Sequence, residues 1–303
     1  MLVEKAEIMT NSNLKITVVQ HSCTEDVSAN QQQVTTAIIQ AANQGAKLVV
    51  LPELHNTLYF CQSEKEDNFD LAETIPGPST NELSELANDY EIVIVASLFE
   101  KRATGLYHNT AVVFDSDGSI AGTYRKMHIP DDPGYYEKYY FAPGDLGFQP
   151  INTSVGKLGV MVCWDQWFPE AARLMALAGA EILIYPTAIG WNPDDSKQRK
   201  SIELDAWITI QRAHAIANGL PLIVANRCSL EEDFNNQNSS IDFWGNSFIT
   251  GCQGEIIAQV KNQPAIFSAE VNLTQSETIR RAWPFLRDRR VDAYYDLLRQ
   301  YID

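Results

Sequence analysis

Short, continuous apolar runs constrain this chain most: KLVVL at 47–51, EIVIVA at 91–96 and KLGVMV at 157–162. Each is too short for a buried helix and lacks the polar alternation of a sheet with one wet face. Each therefore reads as a strand covered on both faces. EILIY at 181–185 and LPLIVA at 220–225 read as further strands, and LKITVVQ at 14–20 as the first. Helical spacing lies between them. Val34, Ala37, Ile38 and Ala41 precede Gly45, a helix through 82–87 follows Gly77-Pro78-Ser79, and Ile202, Ala206, Ile210, Ala213 and Ala217 space a third. Hairpin punctuation completes the pattern. Asp115-Ser116-Asp117-Gly118 joins runs at 109–114 and 119–124, residues 251–254 join strands expected at 243–250 and 255–260, and 266–271 closes the system. Alternating strands and helices with interspersed hairpins predict one α/β domain with mixed sheets.

Composition excludes several function classes. A formal charge of −16 on 303 residues disfavours nucleic acid, which is held by neutralising phosphates with Lys and Arg. No run approaches the roughly 18 apolar residues that a spanning helix needs, so no membrane partner is expected. Residues 1–13 lack the apolar core of a signal peptide and read as a loose extension. The five cysteines, Cys23, Cys61, Cys163, Cys228 and Cys252, are odd in number and show no zinc spacing. A reducing cytoplasm and no metal site are expected.

Chemistry gathers where strands end. Cys163 follows the run at 157–162, and Phe168-Pro169-Glu170 opens a helix five residues later, which Gly179 stops. Strand, bend and helix in this order can present a side chain at the top of a sheet. Glu53 follows the strand at 47–51, where a carboxylate rarely stands without a partner or a task. Lys126 follows the hairpin strand at 119–124. The crevice beyond strand ends is where open α/β sheets bind ligands, so thiol, carboxylate and ammonium can converge there. A thiol with a pKa of about 8.5 needs a base or a nearby cation to act at neutral pH. Glu53 supplies the first and Lys126 the second. The simpler alternatives are a buried structural cysteine, a core-edge glutamate and a surface lysine. From 128 to 150 the chain is a Pro-, Gly- and Tyr-rich loop, of a length that is usually functional. His55 and His128 stand close in sequence to Glu53 and Lys126, as pocket or packing residues, and no histidine carries a protease signature.

GVMVCWDQWFPEAARLMALAGAE, with LPEL at 51–54, YRKMHIP at 124–130, GYYEKYYFAPGD, EILIYPTAIG and FLRDRR at 285–290, resembles the carbon–nitrogen hydrolase (nitrilase) superfamily, and within it the N-carbamoylputrescine amidases. The resemblance runs from about Leu14 to Arg290. It implies a four-layer α-β-β-α sandwich over 14–274, with Cys163 as nucleophile, Glu53 as general base and Lys126 as stabiliser of the tetrahedral intermediate. Glu137 matches a second glutamate in a supporting role. No cofactor is required by such chemistry. The family also implies a homo-oligomer, dimer-based and up to an octamer, with residues 275–303 reaching a neighbouring subunit.

The residues beside the nucleophile bear on the substrate. Relatives that hydrolyse carbamoyl amino acids place arginines just after the cysteine, whereas this chain reads Trp164-Asp165-Gln166-Trp167. A small cationic ureide fits better, held by carboxylates and aromatic faces. Asp131, Asp132, Tyr59 and Trp164 are the expected contacts, and Asp165 is expected to pair with an arginine such as Arg173. The implied reaction converts N-carbamoylputrescine to putrescine, carbon dioxide and ammonia. Another amidase or ureidopropionase of the superfamily is the alternative, and a non-catalytic binding protein that keeps the fold is the alternative from another class.

Overall fold

A computed structural model describes residues 13–233 and 240–302. The expected extension at 1–13 lies outside the described residues except for Asn13. The first sheet contains β1 (Asn13–Gln20), β2 (Leu48–Val50), β3 (Val93–Ala103), β4 (Leu106–Phe114) and β5 (Ile120–Arg125). The second contains β6 (Ile151–Thr153), β7 (Gly156–Val160) and β8 (Ile182–Thr187), then, after the short β9 (Gly190–Trp191), β10 (Leu222–Asn226). The remaining strands are β11 (Cys228–Glu232), β12 (Ser240–Trp244), β13 (Phe248–Thr250), β14 (Ile256–Gln259) and β15 (Ala265–Asn272). Strand orders are β15-β1-β2-β3-β4-β5 and β14-β13-β10-β8-β7-β6, with a small third sheet, β11-β12-β9. Both large sheets mix parallel and antiparallel pairs, since β1–β2–β3 and β7–β8–β10 run parallel and their flanks antiparallel.

The apolar runs are continuous because both faces of each strand are covered. In β2 and the residue after it, Leu48 and Val50 face the second sheet, while Val49 and Leu51 face α1 (Val27–Asn43) and α2 (Pro78–Tyr90). Val93 and Val95 alternate with Ile94 and Ala96 in the same way, as do Ala111 and Val113 with Val112 and Phe114. A short helix, α3 (Glu137–Tyr140), interrupts the long loop. On the second sheet the outer cover comes from α4 (Pro169–Leu177) and α5 (Lys197–Asn218), and α6 (Gln275–Ala282) follows β15. The layers are α-β-β-α. Local chemistry sets the helix ends: the Asp26 carboxylate accepts the Ala29 N–H at 3.0 Å, and Gly219 closes α5 in the left-handed region at φ 59°.

One expectation needs correction. The single strand expected at 243–250 is two strands in different sheets, because Gly245 and Asn246 both adopt positive φ (57° and 55°) and turn the chain out of β12 before β13 begins. The spacing that marks α5 lies on its outer side: Ile202, Ala206, Ala213 and Ala217 are exposed, and Trp207, Gln211, His214 and Asn218 form the buried stripe.

Candidate active site

Glu53 and Cys163 meet at the end of β8. The Glu53 amide donates to the Thr187 carbonyl (3.3 Å), and the Cys163 thiol donates to the next carbonyl, Ala188 (3.7 Å). Lys126 arrives from the neighbouring sheet edge, where its own amide donates to the Asn109 carbonyl (2.9 Å). The Asn109 side chain then donates to Glu53 Oε1 at 2.6 Å, and Lys126 Nζ donates to the same oxygen at 2.8 Å. A second contact from Lys126 Nζ reaches Glu137 Oε2 at 2.6 Å, and the Tyr59 hydroxyl donates to Glu137 Oε1, also at 2.6 Å. Glu53, Lys126 and Glu137 are all fully buried. Glu53 Oε2 is enclosed as well, yet has no hydrogen-bond partner among the described residues.

The backbone at the thiol is bent. Cys163 has φ 42°, a left-handed conformation that costs a non-glycine residue about 1–3 kcal/mol. Such strain is retained where a side chain must be presented at a sharp turn. Asp165 braces this turn. Its Oδ2 accepts from the Val162 amide (3.0 Å) and the Tyr124 hydroxyl (2.8 Å), and its Oδ1 from the amide (3.0 Å) and ring Nδ1 (2.7 Å) of His128. The expected pair with Arg173 is not formed, because all four bonds tie Asp165 to the nucleophile turn and to the segment carrying Lys126. Arg173 donates instead to the Ala217 carbonyl (2.9 Å). His128 stacks on Phe168 at 3.7 Å, and His55 Nδ1 lies 3.1 Å from the Ser97 carbonyl, so both are packing residues.

Burial and the Glu53 charge push the Cys163 thiol well above its ordinary pKa, with Lys126 opposing. The sulfur rests as a thiol. Burial alone would depress Lys126, but Glu137 and Glu53 outweigh it and hold the ammonium well above the usual lysine range. Burial also raises Glu137 to about 7, against the pull of Lys126. One ammonium thus stands between two enclosed carboxylates.

Cys163 is part of the wall of a cavity of about 570 Å³. Trp164, Trp167 and Tyr135 give it aromatic surface, and its lining carries three carboxylates, Asp132, Asp195 and Glu203, with one cation, Arg199. Two of the expected contacts stand elsewhere. Tyr59 lies behind the cavity, where its hydroxyl holds Glu137, and Asp131 is exposed beside the wall without joining it. Asn109 was missed at the sequence level although an asparagine inside an apolar strand is a signal, since a buried amide needs partners. Among the described residues no cluster of His, Cys, Asp or Glu could hold a metal ion, and no helix is long and apolar enough to cross a membrane.

The carbon-nitrogen hydrolase family pattern matches residues 15–281. This chain belongs to the carbon–nitrogen hydrolase family. As such a hydrolase it acts on amides, and its fold is that of its relatives. A solved carbon-nitrogen hydrolase from Helicobacter pylori superposes with TM-score 0.93 at 54% identity, covering 96% of this chain and 100% of that one. The hydrolase is 43% identical over 295 residues to an N-carbamoylputrescine amidase from Solanum lycopersicum (96% of this chain, 97% of the relative). It is 43% identical over 296 residues to a citrullinase from Francisella tularensis (96% and 100%).

Proposed function

We propose that this hydrolase cleaves small ureides with a cationic tail, and N-carbamoylputrescine in particular, to give putrescine, carbon dioxide and ammonia. The observation that carries the mechanism is the division of labour within Glu53: Oε1 is occupied by Asn109 and Lys126, while Oε2 is buried and without a hydrogen-bond partner among the described residues, and the Glu53 charge acts on the Cys163 thiol. As sulfur attacks the ureido carbon, its proton passes to Glu53 Oε2 and the S–C bond forms. Lys126 has three N–H donors, two of them spent on carboxylates. The third, with the backbone N–H of Trp164, receives the oxyanion. The C–N bond then breaks as Glu53 returns the proton to the departing amine, leaving an acyl thioester on Cys163. Water, deprotonated by Glu53, cleaves this carbamoyl thioester, the thiol regains its proton, and the carbamic acid released splits into carbon dioxide and the second amine. Glu137 and Tyr59 hold Lys126 in place.

The cavity's charge supports the cationic tail. Its lining carries three carboxylates with one arginine, and Arg199 is already engaged by Glu203 at 2.8 Å and Asp195 at 3.4 Å. The likeness to the tomato amidase supports the same substrate, and a role in polyamine synthesis in the cytoplasm is part of the proposal. Citrulline is the second reading, favoured by the Francisella relative and by Arg199 as a partner for an α-carboxylate. A homo-oligomer is part of the proposal: Leu174 and Leu177 on α4 and Ile216 on α5 are 42–47% exposed, and large apolar side chains such as Trp283 and Leu298 in the terminal segment are exposed too. The deciding experiment is ammonia release from N-carbamoylputrescine, citrulline, N-carbamoyl-β-alanine and an aliphatic amide by the wild type and by Cys163→Ala. Preference for N-carbamoylputrescine, abolished in the variant, is expected. Preference for the acidic ureide, or activity that survives the substitution, overturns the reading.

A further inference from the structure

β10 is followed at once by Arg227, whose guanidinium is completely buried. Its five N–H donors meet five acceptors. Nε donates to the Glu53 carbonyl (3.1 Å), and Nη2 to the carbonyls of Leu54 and Thr57 (2.8 Å for Thr57). Nη1 donates to both oxygens of Glu231, at 2.8 and 3.0 Å. Glu231 is saturated in turn: Oε1 also accepts the Cys23 amide (3.3 Å) and Oε2 the Tyr59 amide (2.8 Å). The pair therefore grips the main chain from Glu53 to Tyr59 at four points.

That segment could not hold its shape unaided. Leu54 has φ 48°, disfavoured for a side chain with a Cβ, and three carbonyls point at one place, where they would repel one another without a cation between them. At one end the segment carries the Glu53 carboxylate with its free Oε2. At the other it carries Tyr59, whose hydroxyl fixes Glu137, which fixes Lys126. One ion pair from the β10–β11 junction thus sets both ends of the carboxylate–ammonium cluster, and it does so through backbone atoms.

We propose that Arg227 and Glu231 are positioning residues for hydrolysis, which hold the Glu53–Tyr59 turn in the geometry that leaves Glu53 Oε2 ready for the thiol proton. The assignment rests on the Cys163–Glu53 mechanism above. Lysine at position 227 keeps the charge but cannot serve three carbonyls and a carboxylate from one plane. Glutamine at 231 keeps every heavy-atom position but sets an amide donor against the Cys23 or Tyr59 amide.

The test uses Arg227→Lys and Glu231→Gln in the full chain, with active sites counted by stoichiometric alkylation of Cys163 by iodoacetamide. Expected for Arg227→Lys is a kcat per titrated site lower by about 10²-fold, the cost of roughly 1 Å of misplacement. KM for N-carbamoylputrescine should stay within about threefold, since neither residue reaches the cavity, and Glu231→Gln should show a smaller loss in the same direction. The pH dependence of alkylation should shift in both variants, because it reports how the thiol proton is received. A merely structural pair would lower the melting temperature and the number of titrated sites, but leave kcat per site and the alkylation profile unchanged. That result, in either variant that folds, overturns the assignment. Absence of ureide hydrolysis in the wild type would instead overturn the functional reading, and the alkylation profile would still report on the turn.

Discussion

Glu53 and Lys126 form a 2.8 Å ion pair across 73 positions of sequence and between two strand ends, with neither side chain exposed. Taking such charges out of water costs several kcal/mol each, and only tight geometry with further hydrogen bonds repays it. Asn109 and Glu137 supply those bonds. A core packed only for stability would serve as well with apolar residues at these positions. Retaining two carboxylates and a lysine there makes sense when a proton must be accepted and an oxyanion must find a donor already in place.

Lys126→Met would leave two carboxylates without their cation. Removing one partner of a buried pair costs about 3–5 kcal/mol, and losing one preorganised oxyanion donor lowers kcat by about 10²–10³-fold. Urea denaturation and steady-state ammonia release should therefore both respond. A variant that loses activity while keeping wild-type stability would show that the lysine serves the transition state but not the fold.

Glu137 gives a signed pH expectation. Its carboxyl is raised to about 7, first by burial and then by the Glu53 charge, against Lys126. As pH falls through that value Glu137 takes up a proton and its ion pair with Lys126 is lost, so kcat/KM should decline on the acid side with a midpoint near 7. Glu137→Gln removes the titrating carboxylate and should abolish this limb while lowering kcat/KM at every pH. A limb that persists near 7 in the variant would mean that another group carries it.

Much of this was legible in the sequence because the chemistry sits at strand ends. Pro52-Glu53 ends a continuous apolar run, and Cys163 stands between a strand and a proline-initiated helix, so periodicity and turn signals locate both. That these strands are covered on both faces was legible too, since only doubly covered strands drop their polar alternation, whereas the four-layer sandwich was implied by the family resemblance alone. What stayed hidden depends on partners distant along the chain. Nothing local to Asp165 distinguishes an arginine partner from the Tyr124 and His128 partners it has, and Tyr59 reads as a pocket aromatic until Glu137 is seen beside its hydroxyl. The α5 spacing locates a helix but not its buried face, which Trp207, Gln211, His214 and Asn218 form.

The exposed apolar face bears on assembly. Leu174 and Leu177 are 45% and 47% exposed, and Tyr295 in the terminal segment 84%. Exposed apolar side chains mark interaction sites where they form a contiguous patch. Sedimentation of the wild type should give a multiple of 34.0 kDa. Leu177→Glu should reduce that mass, because an unpaired carboxylate in an interface core carries a desolvation penalty. A wild type that sediments as a monomer would remove the oligomer from the proposal.

Selectivity can be read from Asp132, which lines the cavity wall near Cys163 and has no cationic partner among the described residues. The ammonium of N-carbamoylputrescine would gain one charge-assisted hydrogen bond there, worth about 1.5 kcal/mol. Asp132→Asn should then raise KM for that substrate by about 10-fold and leave kcat nearly unchanged, because the tail is bound alike in ground and transition states. Citrulline carries both an ammonium and a carboxylate, so loss of attraction and relief of repulsion should offset one another. N-carbamoyl-β-alanine, which has only the carboxylate, should bind better. The three KM values together form the measurement: a uniform increase would mean that Asp132 shapes the loop, whereas a spread ordered by tail charge would make it the residue that meets the tail.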